Sequence, residues 1–141
     1  MRNKLAAVTL VLAGLLIAGV PAFAHHGDAA YDESKPVVLK PCMVTEYDWM
    51  NPHSLIKCDY TDNSGKVQHW VTEIGSTPSM TLLGWSRNTM HPGDAITLYV
   101  WQSKTGLTVG RLNKLVLADG KELTDRDNKS PSRYGSGAEE K

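Results

Sequence analysis

The sequence predicts an all-β domain: a small five-stranded Greek-key barrel with one short helix between strands three and four. Three observations lead there. Runs rich in Val, Ile, Thr, Tyr and Trp alternate with turn clusters of Asn, Asp, Pro and Gly. A single Thr-Pro start followed by Met and Leu marks one helix. The resulting order is strand, strand, strand, helix, strand, strand, which is that of the OB-fold. A small up-and-down sandwich is the alternative, and the position of the helix favours the barrel.

The first 24 residues stand apart from this domain. Arg2 and Lys4 precede an uncharged apolar run from Leu5 to Val20, Pro21 breaks it, and Ala22-Phe23-Ala24 supplies a small-x-small cleavage pattern. This reads as a signal peptide, residues 1–24, cut after Ala24, and the expected location is the periplasm. A membrane anchor would need about 20 apolar residues, so no membrane span is expected after processing. Residues 25–36 are polar and Asp-rich and read as an extended N-terminal arm.

The OB-fold-like domain is expected over 37–123. Val37 to Trp49 is the first strand, ending at Asn51-Pro52, which cannot continue a central strand. Ser54 to Thr61 is the second. Asp62-Asn63-Ser64-Gly65 turns the chain into the third, Val67 to Glu73. Thr77 as N-cap, Pro78 in the first turn, and Met80, Leu82 and Leu83 before Gly84 define the helix. After the turn His91-Pro92-Gly93-Asp94, Ala95 to Gln102 is strand four and Arg111 to Leu117 strand five. Residues 124–141 are polar and read as a disordered tail.

The 141 residues carry 15 basic and 15 acidic side chains, 41% hydrophobic and 21% charged overall. That is one domain with no electrostatic footprint for nucleic acid. The sequence has no Ser-His-Asp arrangement, no phosphate-binding loop and no dinucleotide motif. No enzymatic function is therefore expected, and a copper-dependent redox enzyme is the weakest of the readings.

Cys42 and Cys58 lie equally far from Met50. A hairpin folding there sets them directly opposite each other, which predicts a cross-strand disulfide in an oxidising compartment. The alternative is a thiolate pair for copper(I) or zinc, although the chain has no C-x-x-C spacing.

Cleavage after Ala24 would start the mature chain at His25-His26-Gly27. An N-terminal His offers its α-amine and its imidazole to one metal, and such nitrogen ligands suit copper(II). His26 adds a further imidazole or amide. A second imidazole from elsewhere would complete a brace, with His53 the first candidate, His91 the second and His69 the third. Asp28, Asp32 and Glu33 are possible carboxylate ligands, and Met50 is a soft partner for copper(I). The plain alternative is a polar start that the peptidase tolerates, with Asn51 and His53 satisfying backbone groups of a turn. Glu73 at a strand end could serve as an acid or ligand, but no paired carboxylate accompanies it.

Trp49, Asn51, Trp70, Trp85 and Trp101 form the other candidate set, an aromatic barrel face for a small molecule, glycan or protein. Alternation turns some of these rings into the core. The leading expectation is thus a copper-binding carrier, sensor or accessory factor. A metal-free interaction module is the alternative, and another periplasmic protein is a candidate partner.

His25-His26-Gly27, Tyr31-Asp32, Lys35-Pro36-Val37, Val44-Thr45, Trp49-x-Asn51-Pro52-His53, Glu73, Gly84-Trp85, Pro92-Gly93-Asp94 and Ala118-Asp119-Gly120 together resemble an uncharacterised family of small exported bacterial proteins, a domain of unknown function. The resemblance covers nearly the whole mature chain and implies a periplasmic OB-like module with no assigned activity. Cys42 departs from the glycine expected there in most relatives, so a disulfide would be peculiar to this chain.

Overall fold

The computed structural model describes residues 30–126. The expected signal peptide, His25, His26, Asp28 and the tail beyond residue 126 lie outside the described residues. Within them the elements are β1 (Val37–Asp48), β2 (Leu55–Thr61), β3 (Val67–Glu73), α1 (Thr77–Leu82), β4 (Ala95–Gln102), β5 (Val109–Val116) and β6 (Glu122–Leu123). The sheet order is β3-β2-β1-β4-β5-β6, and a further β3–β5 pairing closes the five long strands into a barrel. This is the OB-like architecture that the element order predicts.

The closure is short and parallel, setting Val71, Thr72 and Glu73 beside Val109, Gly110 and Arg111. Gly110 makes it possible. A Cβ at this position would collide with the Val100 side chain and stand 2.6 Å from the Trp101 carbonyl oxygen. Only a residue without a side chain lets β5 pass this close to β4.

β1 can serve two neighbours because it bends. Its register shifts between Leu39 and Cys42 against β4, and between Val44 and Glu46 against β2. Pro41, which has no N–H to donate, falls inside the first irregularity. That irregularity resets the alternation so that Leu39 and Cys42, three residues apart, both face inward, and period two then adds Val44 on β1 and Ile56 and Cys58 on β2. Met80 of α1, Trp85 and Leu98 complete the core around them.

Cys42 and Cys58 form the expected disulfide, with Cα atoms 5.6 Å apart. Their register differs from the expected one. Cys42 faces Tyr60 and Cys58 faces Val44, so the two are diagonal neighbours. The slip is of two residues, and an even slip keeps both side chains on the core face. The thiolate-pair alternative falls with the bond, since neither sulfur is free.

Element ends differ from their expected places by one or two residues, with β1 ending at Asp48, β2 beginning at Leu55 and β5 ending at Val116, and one strand is added. The helix N-cap is Ser76, with Pro78 in the first turn. β5 begins at Val109, where pairing with β3 starts, two residues before Arg111. β6, absent from the expectation, pairs Leu123 with Leu115. Among the described residues no helix is long and apolar enough to cross a membrane.

Candidate functional site

Alternation also decides what the closure exposes. Thr72 and Ile74 point inward on either side of Glu73, as do Gly110 and Leu112 on either side of Arg111. Glu73 and Arg111 therefore stand side by side on the outer surface, brought together by the parallel register. Arg111 Nη1 donates to Glu73 Oε1 at 3.2 Å, while its Nε donates to Asp125 Oδ2 at 2.9 Å. The Asp125 side chain is only 2% exposed and that of Arg111 15%. One guanidinium thus bridges two carboxylates, which its planar fork of donors permits.

His53 joins this chain from the β1–β2 loop. Its Nδ1 lies 2.9 Å from Glu73 Oε1, the same oxygen that Arg111 holds. The loop is fixed by backbone bonds: Ser54 N donates to the Gly75 carbonyl at 3.1 Å, and Ile74 N to the Ser54 carbonyl at 2.9 Å. Asn51 contributes from the same loop. Its Oδ1 accepts from both the backbone N and the hydroxyl of Thr77, each at 3.0 Å. It therefore supplies the side-chain cap that Ser76 does not provide.

The arm reaches the same place. Tyr31 forms an isolated bridge with Ser103, Asp32 N donates to the Gln102 carbonyl at 2.8 Å, and Lys104 N to the Ala30 carbonyl at 3.0 Å. The Tyr31 hydroxyl donates to Glu73 Oε2 at 3.4 Å. The segment after β6 closes over it. Arg126 pairs with Glu33 at 3.3 Å, and Trp85 Nε1 donates to the Thr124 carbonyl at 2.8 Å. Thr124 to Arg126, expected in the tail, are thus packed against the barrel.

The remaining sequence candidates disperse. Trp70 and Trp85 are 3% and 2% exposed and belong to the core. Trp49 is half-buried with its ring 5.9 Å from that of Tyr47. Trp101 is half-buried and is the cross-strand neighbour of Arg111, so of the five aromatic-face candidates it adjoins the cluster through β5. His69 sits on β3 with Nδ1 2.6 Å from Asp59 Oδ1. His91 lies in a turn where its backbone N donates to Asp94 Oδ2 at 2.8 Å. Asp32 accepts from the hydroxyl and the backbone N of Ser34, in that order of effect, and these bonds hold its carboxyl below the usual value. Met50 is exposed.

Sequence reasoning picked out His53 and Glu73 and missed Arg111, Asp125 and the role of Tyr31. The one available signal was the lone charged residue in Val109-Gly110-Arg111-Leu112, where alternation demands an outward side chain. Among the described residues no group of three or more His, Cys, Asp or Glu is placed to hold a metal ion. The cluster brings one imidazole, that of His53, close to the Glu73 carboxylate.

A model for a family of unknown function (DUF6152) matches residues 12–113, a span that holds His53, Glu73 and Arg111. No curated protein and no solved structure matches the chain.

Proposed function

The chain belongs to the DUF6152 family, whose function is unknown, and from that premise we propose that it is an exported, non-catalytic periplasmic protein that binds copper(II) through its processed N-terminus. His25 supplies the α-amine and an imidazole, with His26 and His53 contributing, and the protein acts as a metal carrier, sensor or accessory factor. One observation carries this reading: Tyr31 is pinned to Glu73, and Glu73 faces His53. Six residues of chain span at most about 20 Å. A terminus at His25 therefore starts within reach of the His53 ring.

The donor chemistry agrees. Amine and imidazole nitrogens in a tetragonal set favour copper(II) over the other common divalent ions. The Cys42–Cys58 disulfide is compatible with an oxidising compartment.

The test compares the exported protein, its start verified by intact mass, with a form carrying one extra alanine before His25 and with His53→Gln. Copper(II) affinity and EPR are read on each. The extra residue should weaken binding, and His53→Gln should alter the spectrum. Identical affinities and spectra in all three forms would sink the metal reading and return attention to the Trp49 and Trp101 surface.

A further inference from the structure

The arm and the segment after β6 are held by one another as well as by the barrel. Two backbone bonds lay the arm along the end of β4, from Asp32 N to the Gln102 carbonyl at 2.8 Å and from Lys104 N to the Ala30 carbonyl at 3.0 Å. Two side-chain bonds add to them: the Tyr31 hydroxyl donates to Glu73 Oε2 at 3.4 Å, and Arg126 Nη2 donates to Glu33 Oε1 at 3.3 Å. Arg126 is in place because its neighbours are. The Thr124 carbonyl accepts from the buried Trp85 indole, the Thr124 hydroxyl donates to the Arg126 carbonyl at 2.8 Å, and Asp125 accepts from Arg111 Nε at 2.9 Å.

We propose that residues 124–126 are a clasp for the N-terminal arm, with Asp125 and Arg126 as positioning residues that hold residues 30–33 against the barrel. The clasp operates whether or not the terminus carries a metal.

Magnitudes separate the two residues. The side chains of Glu33 and Arg126 are 39% and 45% exposed, and an ion pair that open contributes little by itself. Asp125 is almost fully buried, and its partner Arg111 also donates to Glu73, the acceptor of the Tyr31 hydroxyl. Removing the Asp125 charge therefore reaches the arm by two routes. It lets Arg126 leave Glu33, and it takes away one of the two carboxylates that hold the guanidinium plane beside Glu73. Losing a hydrogen bond between charged partners changes a local opening equilibrium about tenfold or more.

Coupling of this kind is reciprocal. Whatever draws residues 124–126 off the barrel loosens the arm, and whatever lifts the arm loosens residues 124–126 by the same factor. The chain thus has a device through which an event at one end of the domain is felt at the other.

The test is residue-resolved hydrogen exchange on the full-length, metal-free protein. The amides of Asp32 and Lys104 report the arm, the Trp85 indole N–H reports the clasp, and the Val44 amide, which donates to the Asp94 carbonyl at 2.9 Å, reports the barrel itself. Asp125→Asn should speed exchange at Asp32 and Lys104 about tenfold or more and leave Val44 as it was. Arg126→Gln should speed the same two amides about two- to fivefold, and it carries the test if Asp125→Asn does not fold. Adding Glu33→Gln to Arg126→Gln should change nothing further, since the pair is already broken. In the other direction, Tyr31→Phe/Glu33→Gln should speed exchange of the Trp85 indole N–H. Arm amides that exchange as before in a folded variant, an equal acceleration at Val44, or an indole N–H that ignores the arm variant each overturn the proposal.

Discussion

Reducing the Cys42–Cys58 bond should cost this domain a large part of its stability, and the amount follows from where the bond sits. The two cysteines are 16 residues apart in sequence. Closing a loop of that length in the unfolded chain corresponds to about 3 kcal/mol. Replacing both residues with alanine removes the cross-link and also empties the core volume of two buried sulfurs, which adds on the order of 1 kcal/mol. For a domain of this size about 4 to 8 °C of melting temperature accompanies each kcal/mol. The reduced wild type should therefore melt about 12 to 24 °C below the oxidised protein, and Cys42→Ala/Cys58→Ala a few degrees lower still. Thermal unfolding followed by circular dichroism measures both, with the wild type reduced while unfolded and then refolded in reductant. The comparison separates the two contributions, because reduction keeps the sulfur atoms in place. If reduced and oxidised proteins melt within about 5 °C of each other, closing this loop is not what the bond contributes, and the entropic reasoning is refuted.

Three further changes test other parts of the fold. Gly110→Ala forces a methyl group against Val100 and the Trp101 carbonyl; it should lower the urea midpoint by an amount equivalent to about 1 to 3 kcal/mol, with the m-value unchanged. Thr72→Val removes a hydroxyl that is fully buried without a hydrogen-bond partner and keeps its shape, so the same measurement should show a gain of about 1 kcal/mol, and a loss would mean the hydroxyl is satisfied in solution. Asp62 accepts from the Ser64 hydroxyl first and also from backbone N–H groups of Lys66 and Ser64, which hold its carboxyl down to about 2 from 3.8. A depressed carboxyl stabilises the fold above its ordinary pKa and loses that effect as pH falls through the folded value. Asp62→Asn should therefore flatten the decline in melting temperature between pH 4 and pH 2, and a parallel decline in both proteins would count against the assignment.

The fold was readable because each strand announces itself locally. Val67 to Glu73 has β-formers on both faces and a four-residue turn before it, and Thr77-Pro78 marks the one helix between strand groups. Register was less readable. The hairpin is centred between Asn51 and Pro52 rather than on Met50, since Asp48 pairs with Leu55, and the extra residue that β1 spends between Val44 and Glu46 takes back only one of the three residues of difference; neither leaves a mark in composition. β6, with two residues, is too short for any periodicity to reveal. Half of the candidate site was legible for a similar reason. His53 and Glu73 stand out as polar residues at strand ends, where sequence alone puts function. Arg111 becomes their neighbour only through a parallel pairing of β3 with β5, with a helix and a strand between them in the chain. Asp125 sits in a polar stretch that resembles a tail until a buried guanidinium gives it a reason to fold back. Asn51, read either as part of a ligand face or as a group satisfying turn backbone, holds the start of α1 through its Oδ1, a long-range contact that local sequence does not show.

Glu33 and Arg126 meet at 3.3 Å, so the chain enters and leaves the barrel at the same point. The described chain begins and ends on one rim, with Tyr31 against Glu73 and Asp125 against Arg111, so both ends of the domain are fastened over the same β3–β5 junction that closes the barrel.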